Sequence, residues 1–134
     1  MVRKIYKDSS LFLFGMNKIN IKPKEDIFKK TAEEYFMSGK DEFNKGRYNS
    51  AVVLFFKCLV ALADLLVLRK TGKSPSSHGE RFNVTKNSLS EVYDLLDKDF
   101  PFYQDSYNIV MTKELAEVIE NDARKLAEKA EFKL

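Results

Sequence analysis

Residues 51–70 read AVVLFFKCLVALADLLVLRK, and this stretch decides the fold. Roughly 20 apolar residues in a row are long enough to span a bilayer. Lys57 and Asp64 argue against that, because a charge at mid-span is costly in hydrocarbon. The two lie seven residues apart, two helical turns, so they share one face and form a narrow polar seam. A helix apolar nearly all round, with one such seam, is the central helix of a soluble bundle.

The flanks of this helix punctuate it clearly. Upstream, Asn44-Lys45-Gly46 is a helix stop, with Gly46 suited to the left-handed position past a helix end. Asn49 or Ser50 can cap the helix that follows. Downstream, residues 71–77, TGKSPSS, form the clearest loop in the chain. Before the stop, Ile27, Phe28, Ala32, Tyr35, Phe36, Gly39 and Phe43 recur at three- and four-residue intervals, an amphipathic helix that Pro23 opens. After the loop, residues 78–98 carry Phe82, Leu89, Val92, Tyr93, Leu95 and Leu96, with a break near Asn87-Ser88. Asp99-Phe100-Pro101 reads as a turn, and residues 102–111 stay ambiguous between loop and short helix. Thr112 caps the last helix, whose inner face holds Leu115, Val118, Ile119, Leu126 and Ala130.

The expected architecture is therefore all-α, a four-to-five-helix up-and-down bundle over residues 23–134. Residues 1–22 fit no helical pattern. Leu11-Phe12-Leu13-Phe14 closed by Gly15, and Ile19-Asn20-Ile21 before Pro23, read as a short irregular or β-like N-terminal arm, either a hairpin or a strap laid on the bundle. The apolar stretch is too short for a secretory leader and no small-residue cleavage site follows, so a cytoplasmic location is expected.

Composition removes whole classes of chemistry. With one histidine and one cysteine in 134 residues, a disulfide framework, a Cys/His zinc site and a paired-thiol redox centre are excluded. The five glycines are too scattered for a phosphate-cradling loop, although Thr71-Gly72-Lys73-Ser74 superficially matches the tail of one. Glu33-Glu34 and Glu114, Glu117 and Glu120 lack the histidines of a di-iron bundle. Neither a metal nor another cofactor is expected. Cys58, in mid-helix among hydrophobes, is a small buried apolar residue. The tetratricopeptide-like echo at residues 46–51 does not recur one period of about 34 residues later.

Net charge is +3, unevenly spread. Residues 1–30 hold eight Lys/Arg against three Asp/Glu, residues 40–86 nine against four, and residues 87–134 six against eleven. The basic middle segment supplies candidate ligand-binding residues, Arg47, Arg69, Lys70, Lys73 and Arg81, with His78 and Tyr107 as polar neighbours. Side chains of this kind meet phosphates with salt-dependent affinity.

Residues 43–51, FNKGRYNSA, the long apolar helix after them, and residues 69–78, RKTGKSPSSH, together resemble HEPN domains, small all-helical proteins of prokaryotes. The likeness covers about residues 25–132. It implies a homodimer, and a toxin–antitoxin pairing with a minimal nucleotidyltransferase. Many HEPN proteins are metal-independent RNases that use an arginine followed a few residues later by a histidine near the start of the last helix. The matching region here, residues 103–111, YQDSYNIVM, has neither. His78 comes nine residues after Arg69 and precedes Arg81, so that spacing occurs nowhere. Without an imidazole to move a proton or an arginine to hold the phosphate, cleavage lacks its parts. The expected function is a non-catalytic module that binds a nucleotide, RNA phosphates or a protein partner, with no catalytic residues assigned. The alternatives are a divergent RNase or toxin using His78, and an antitoxin-like or scaffold subunit for a nucleotidyltransferase.

Overall fold

The computed structural model describes residues 10–134, with side chains from Ile21 onward. Its described residues form five helices and no strand: α1 (Ser10–Asn44), α2 (Tyr48–Thr71), α3 (His78–Ser88), α4 (Ser90–Asp105) and α5 (Lys113–Lys129). The all-α bundle is as expected, with α2 at its centre and all four other helices packed on it. Thirteen residues of α2 are buried, among them Val52, Phe55, Phe56, Leu59, Leu62 and Leu65. Its membrane-like composition thus serves the core, because neighbours bury most of it.

Local signals work as their chemistry requires. Gly46 adopts φ +75 just past α1, where Arg47 N–H donates to the Glu42 carbonyl and Gly46 N–H to that of Phe43. Gly72 ends α2 at φ +81. The Thr112 hydroxyl accepts from Leu115 N–H and starts α5, and Ser77 starts α3 by accepting from Glu80 N–H. The break near Asn87-Ser88 falls at Leu89, whose non-helical backbone separates α3 from α4.

Several expectations are corrected. Residues 10–22 are helical and continuous with α1, so no irregular or β-like arm begins there; residues 1–9 lie outside the described residues. A short apolar run such as Leu11–Phe14 suits helix and strand alike. Pro23 consequently lies inside α1 rather than opening it, and Pro101 lies inside α4 rather than in a turn. Both prolines are exposed, so the carbonyl each leaves without a donor sits on a solvent-facing side of its helix. Asn49 does not cap α2, whose N-cap residue Arg47 makes no side-chain cap bond. Ile27 and Val118, expected on inner faces, are 59% and 39% exposed.

The last turn of α5 repeats the Gly46 geometry without glycine. Phe132 N–H donates to the Ala127 carbonyl and Glu131 N–H to that of Glu128, which holds Glu131 at φ +56. Arg69 anchors the same end: its Nη1 donates to the Ala130 carbonyl at 2.7 Å, and its Nε pairs with Glu25 at 2.6 Å.

Candidate functional site

An open groove of about 420 Å³ lies where α1, α2, α3 and α4 meet. Ile27, Phe28, Thr31 and Tyr35 of α1 form one bank. The polar seam of α2, Lys57 to Asp64, forms the floor. Ser76, Ser77, His78 and Arg81 close one end, and Tyr103 of α4 stands beside Lys57. Volumes of this size suit small molecules.

The seam recruits its partner from the next helix. Arg81 Nε donates to Asp64 Oδ1 at 2.7 Å and Nη2 to Oδ2 at 2.9 Å, a two-pronged pair with both residues buried. Burial pushes the Asp64 carboxyl above its ordinary range, and the Arg81 hydrogen bonds and charge oppose that push. The third prong, Nη1, contacts His78 Nδ1 at 2.9 Å. A guanidinium can only donate, so Nδ1 is the acceptor and the proton of the neutral imidazole sits on Nε2. Desolvation lowers the His78 pKa, and the positive charges of Arg81 and Lys57 reinforce it against the attraction of Asp64. His78 is thereby a neutral donor whose lone pair is already engaged.

This arrangement has a chemical consequence. A general base needs a free ring nitrogen near the proton it takes. Here that nitrogen faces Arg81. Cys58, the only thiol, is buried and its pKa is raised to about 12 by desolvation, so it supplies no thiolate. No cluster of three or more metal-ligating side chains occurs among the described residues. Lys57 is different: no carboxylate lies within ion-pair distance of it among the described residues, and its ammonium stands 5.9 Å from the Tyr103 ring centroid. Asp64 and Arg81 cancel, His78 is neutral, and Lys57 leaves the groove with one uncompensated positive charge.

Aromatic packing fixes the α4 side. Tyr103 stacks on Phe56 at 4.8 Å between centroids, and His78 lies 5.3 Å from Phe100. Tyr107 is 71% exposed, and its hydroxyl is 3.1 Å from that of Tyr103.

The seven residues singled out from sequence do not form one site. His78 and Arg81 line the groove, and Tyr107 reaches its edge only through Tyr103. Arg81 is committed to Asp64 and His78, and Arg69 to Glu25 and the Ala130 carbonyl, so neither guanidinium is free for a ligand. Lys70 and Lys73 are exposed around the C-terminal end of α2, with Lys73 near Ile21 and Lys24. Arg47 lies at the opposite end of α2, about 33 Å away by helical rise, beside Glu42. Lys57, Asp64 and Tyr103 also line the groove and are absent from the candidate set read from sequence. The Lys57–Asp64 spacing was the available signal.

Comparison of the chain with family models, curated proteins and solved structures finds no match. The groove is therefore read from its own geometry.

Proposed function

We propose that the chain is a HEPN-like, non-catalytic binding module that holds a phosphate-bearing ligand, a nucleotide or an RNA phosphate, in the groove between α1, α3 and α4. The observation that carries this reading is Lys57, an ammonium with no carboxylate partner among the described residues, set beside an aromatic wall. The engaged Nδ1 of His78 supports binding over cleavage, because the ring offers a proton and does not accept one. The same proposal has the module acting in the cytoplasm as a homodimer.

A titration of labelled protein followed by NMR, with nucleotides and a short single-stranded RNA, tests it. Shifts are expected at Lys57, His78 and Tyr103 and should be lost in Lys57→Met. Binding that survives Lys57→Met but vanishes in Arg69→Ala/Lys73→Ala would move the site to the far end of α2. RNA cleavage lost in His78→Ala would favour the divergent RNase instead.

A second reading, a scaffold subunit for a protein such as a minimal nucleotidyltransferase, draws on the loop after α4. Tyr107, Ile109 and Val110 are 71%, 55% and 88% exposed there, the kind of apolar cluster that marks a protein contact. Co-purification that is lost in Val110→Asp would support it.

A further inference from the structure

Resting on the phosphate-binding reading, we infer that the groove takes a single nucleotide unit, a nucleoside monophosphate, in preference to a nucleoside triphosphate or a run of RNA. Charge is the first argument. The groove's titratable groups are Lys57, Asp64, His78 and Arg81, with tyrosines besides. Asp64 and Arg81 satisfy each other at 2.7 and 2.9 Å, and His78 is held neutral by the third prong of Arg81. One cation remains, enough for one phosphate. Three phosphoryl groups in a row are ordinarily cradled by a lysine, a row of backbone amides and a metal ion. No acidic cluster suited to a metal occurs among the described residues.

A basic track is lacking along α2. A strand of RNA needs successive cations along its backbone, and each phosphate neutralised adds to the salt dependence. Moving from Lys57 along α2, the next basic side chains are Arg69 and Lys70, twelve and thirteen residues on, about 18–20 Å by helical rise. Arg69 is held by Glu25 and the Ala130 carbonyl. In the other direction lies Arg47, ten residues or about 15 Å away, beside Glu42. Along α2 the positive charge at the groove is isolated.

The shape of the groove fits the same ligand. The space of about 420 Å³ has aromatic side chains on both banks, Phe28 and Tyr35 on α1 and Tyr103 on α4, all half-buried with ring surface to offer. Nucleobases stack on such rings whatever their sequence. The Nε2–H of His78 and the hydroxyl of Thr31 supply hydrogen bonds for a sugar or a base edge. A flat ring, a polar linker and one phosphate match a single nucleotide.

The test is calorimetric titration of the full chain with the four ribonucleoside monophosphates, their nucleosides, inorganic phosphate, a triphosphate and a ten-nucleotide RNA, at several salt concentrations. At least one monophosphate should bind 10-fold or more tighter than its nucleoside and than inorganic phosphate. The triphosphate should gain no more than threefold over it. The slope of log K against log salt should be no steeper than about −1, where each strand phosphate neutralised contributes about 0.7. Lys57→Met should bring the monophosphate down to nucleoside affinity and Lys57→Arg should restore it, with thermal melts showing both variants folded.

RNA that binds 10-fold tighter than any monophosphate, with a slope of several, overturns the single-nucleotide inference and leaves phosphate binding standing. A triphosphate preferred more than 10-fold does the same. Failure of every phosphate compound to bind at millimolar concentration overturns both.

Discussion

Gly39 of α1 lies against the ring of Phe55 in α2: a Cβ at position 39 would sit 2.7 Å from two of its ring carbons. Phe55 is fully buried and packs on Phe36 at 5.5 Å, so it has no room to retreat. Gly39→Ala gains up to about 1 kcal/mol of helix propensity. Overpacking a tight contact costs about 1–3 kcal/mol. The variant is expected to unfold at lower temperature, and Phe55→Leu in the same chain should recover part of the loss. A melt at or above wild type for Gly39→Ala alone would contradict the close packing of α1 on α2.

Arg81 binds Asp64 and His78 together, so its loss has two separable effects. Arg81→Met leaves a buried carboxylate without its partner, which costs about 3–5 kcal/mol in denaturant unfolding. It also removes a positive charge and a donor from beside His78, so the histidine pKa should rise, though not to its ordinary value while the ring stays partly desolvated. The chain has a single histidine, so one imidazole resonance followed against pH reads this directly. An unchanged titration would refute the contact between Arg81 and His78.

Asn49 holds the loop after α4 at three points. Its amide nitrogen donates to the carbonyls of Ser106 and Ile109 at 2.9 and 2.8 Å, and its amide oxygen accepts from Met111 N–H at 2.9 Å. Asn49→Ala should cost about 2–3 kcal/mol, since three backbone groups lose a partner and water reaches only some of them. Hydrogen exchange at Met111 should accelerate more than at any amide of α2. Asn49→Asp keeps the acceptor but turns an anionic oxygen on two carbonyls, so it should be no milder at neutral pH.

Asp99 is fully buried in α4 and has no donor from any other group, while Asp122 of α5 receives Lys98 at 2.8 Å and Lys125 at 3.9 Å. Burial, together with the neighbouring Asp122 carboxylate, raises the Asp99 pKa to about 8 against the opposing charges of Lys98 and Lys125. Asp99 is thus the member of the pair that holds a proton. Its folded pKa exceeds its unfolded one, so the folded state holds the extra proton. Stability is fully present below about pH 4 and is lost progressively as pH rises towards 8. Asp99→Asn keeps a donor without the proton, so the variant should be the more stable protein at pH 8–9 and lose that advantage near pH 5. A wild-type melting curve flat between pH 5 and 8.5 would refute the raised pKa of Asp99.

Glu131 occupies a left-handed position that costs a side-chain-bearing residue about 1–2 kcal/mol. Glu131→Gly should stabilise the chain by roughly 0.5–1 kcal/mol, part of the gain being returned as greater freedom of the unfolded chain. Thermal melts of this variant and of Gly46→Ala should move in opposite directions.

Much of this bundle was legible because the decisive signals are local. Gly46, Gly72 and Thr112 act through bonds to residues at most five positions away, and the apolarity of residues 51–68 leaves no place for them but the centre. The misreadings share a cause. Pro23 and Pro101 break helices on average, but on an exposed side the freed carbonyl turns to water and the helix continues. Asn49 has a capping side chain near the start of α2, yet its partners lie 57 to 62 residues ahead and no local pattern announces them. The groove was half visible: Lys57 and Asp64 were placed on one face, but that Arg81 would neutralise one and leave the other bare is a tertiary fact. Counting basic residues along the chain gathered Arg47 with Arg69 and Lys73, which a straight helix holds far apart.

The position of α2 sets how this protein comes apart. Every other helix packs on it, and with its buried leucines and phenylalanines it cannot stand bare in water. No peripheral helix can leave without exposing that surface, so the loss of one contact weakens the rest. The bundle should open as one cooperative unit, with amides at the middle of α2 exchanging only through global unfolding.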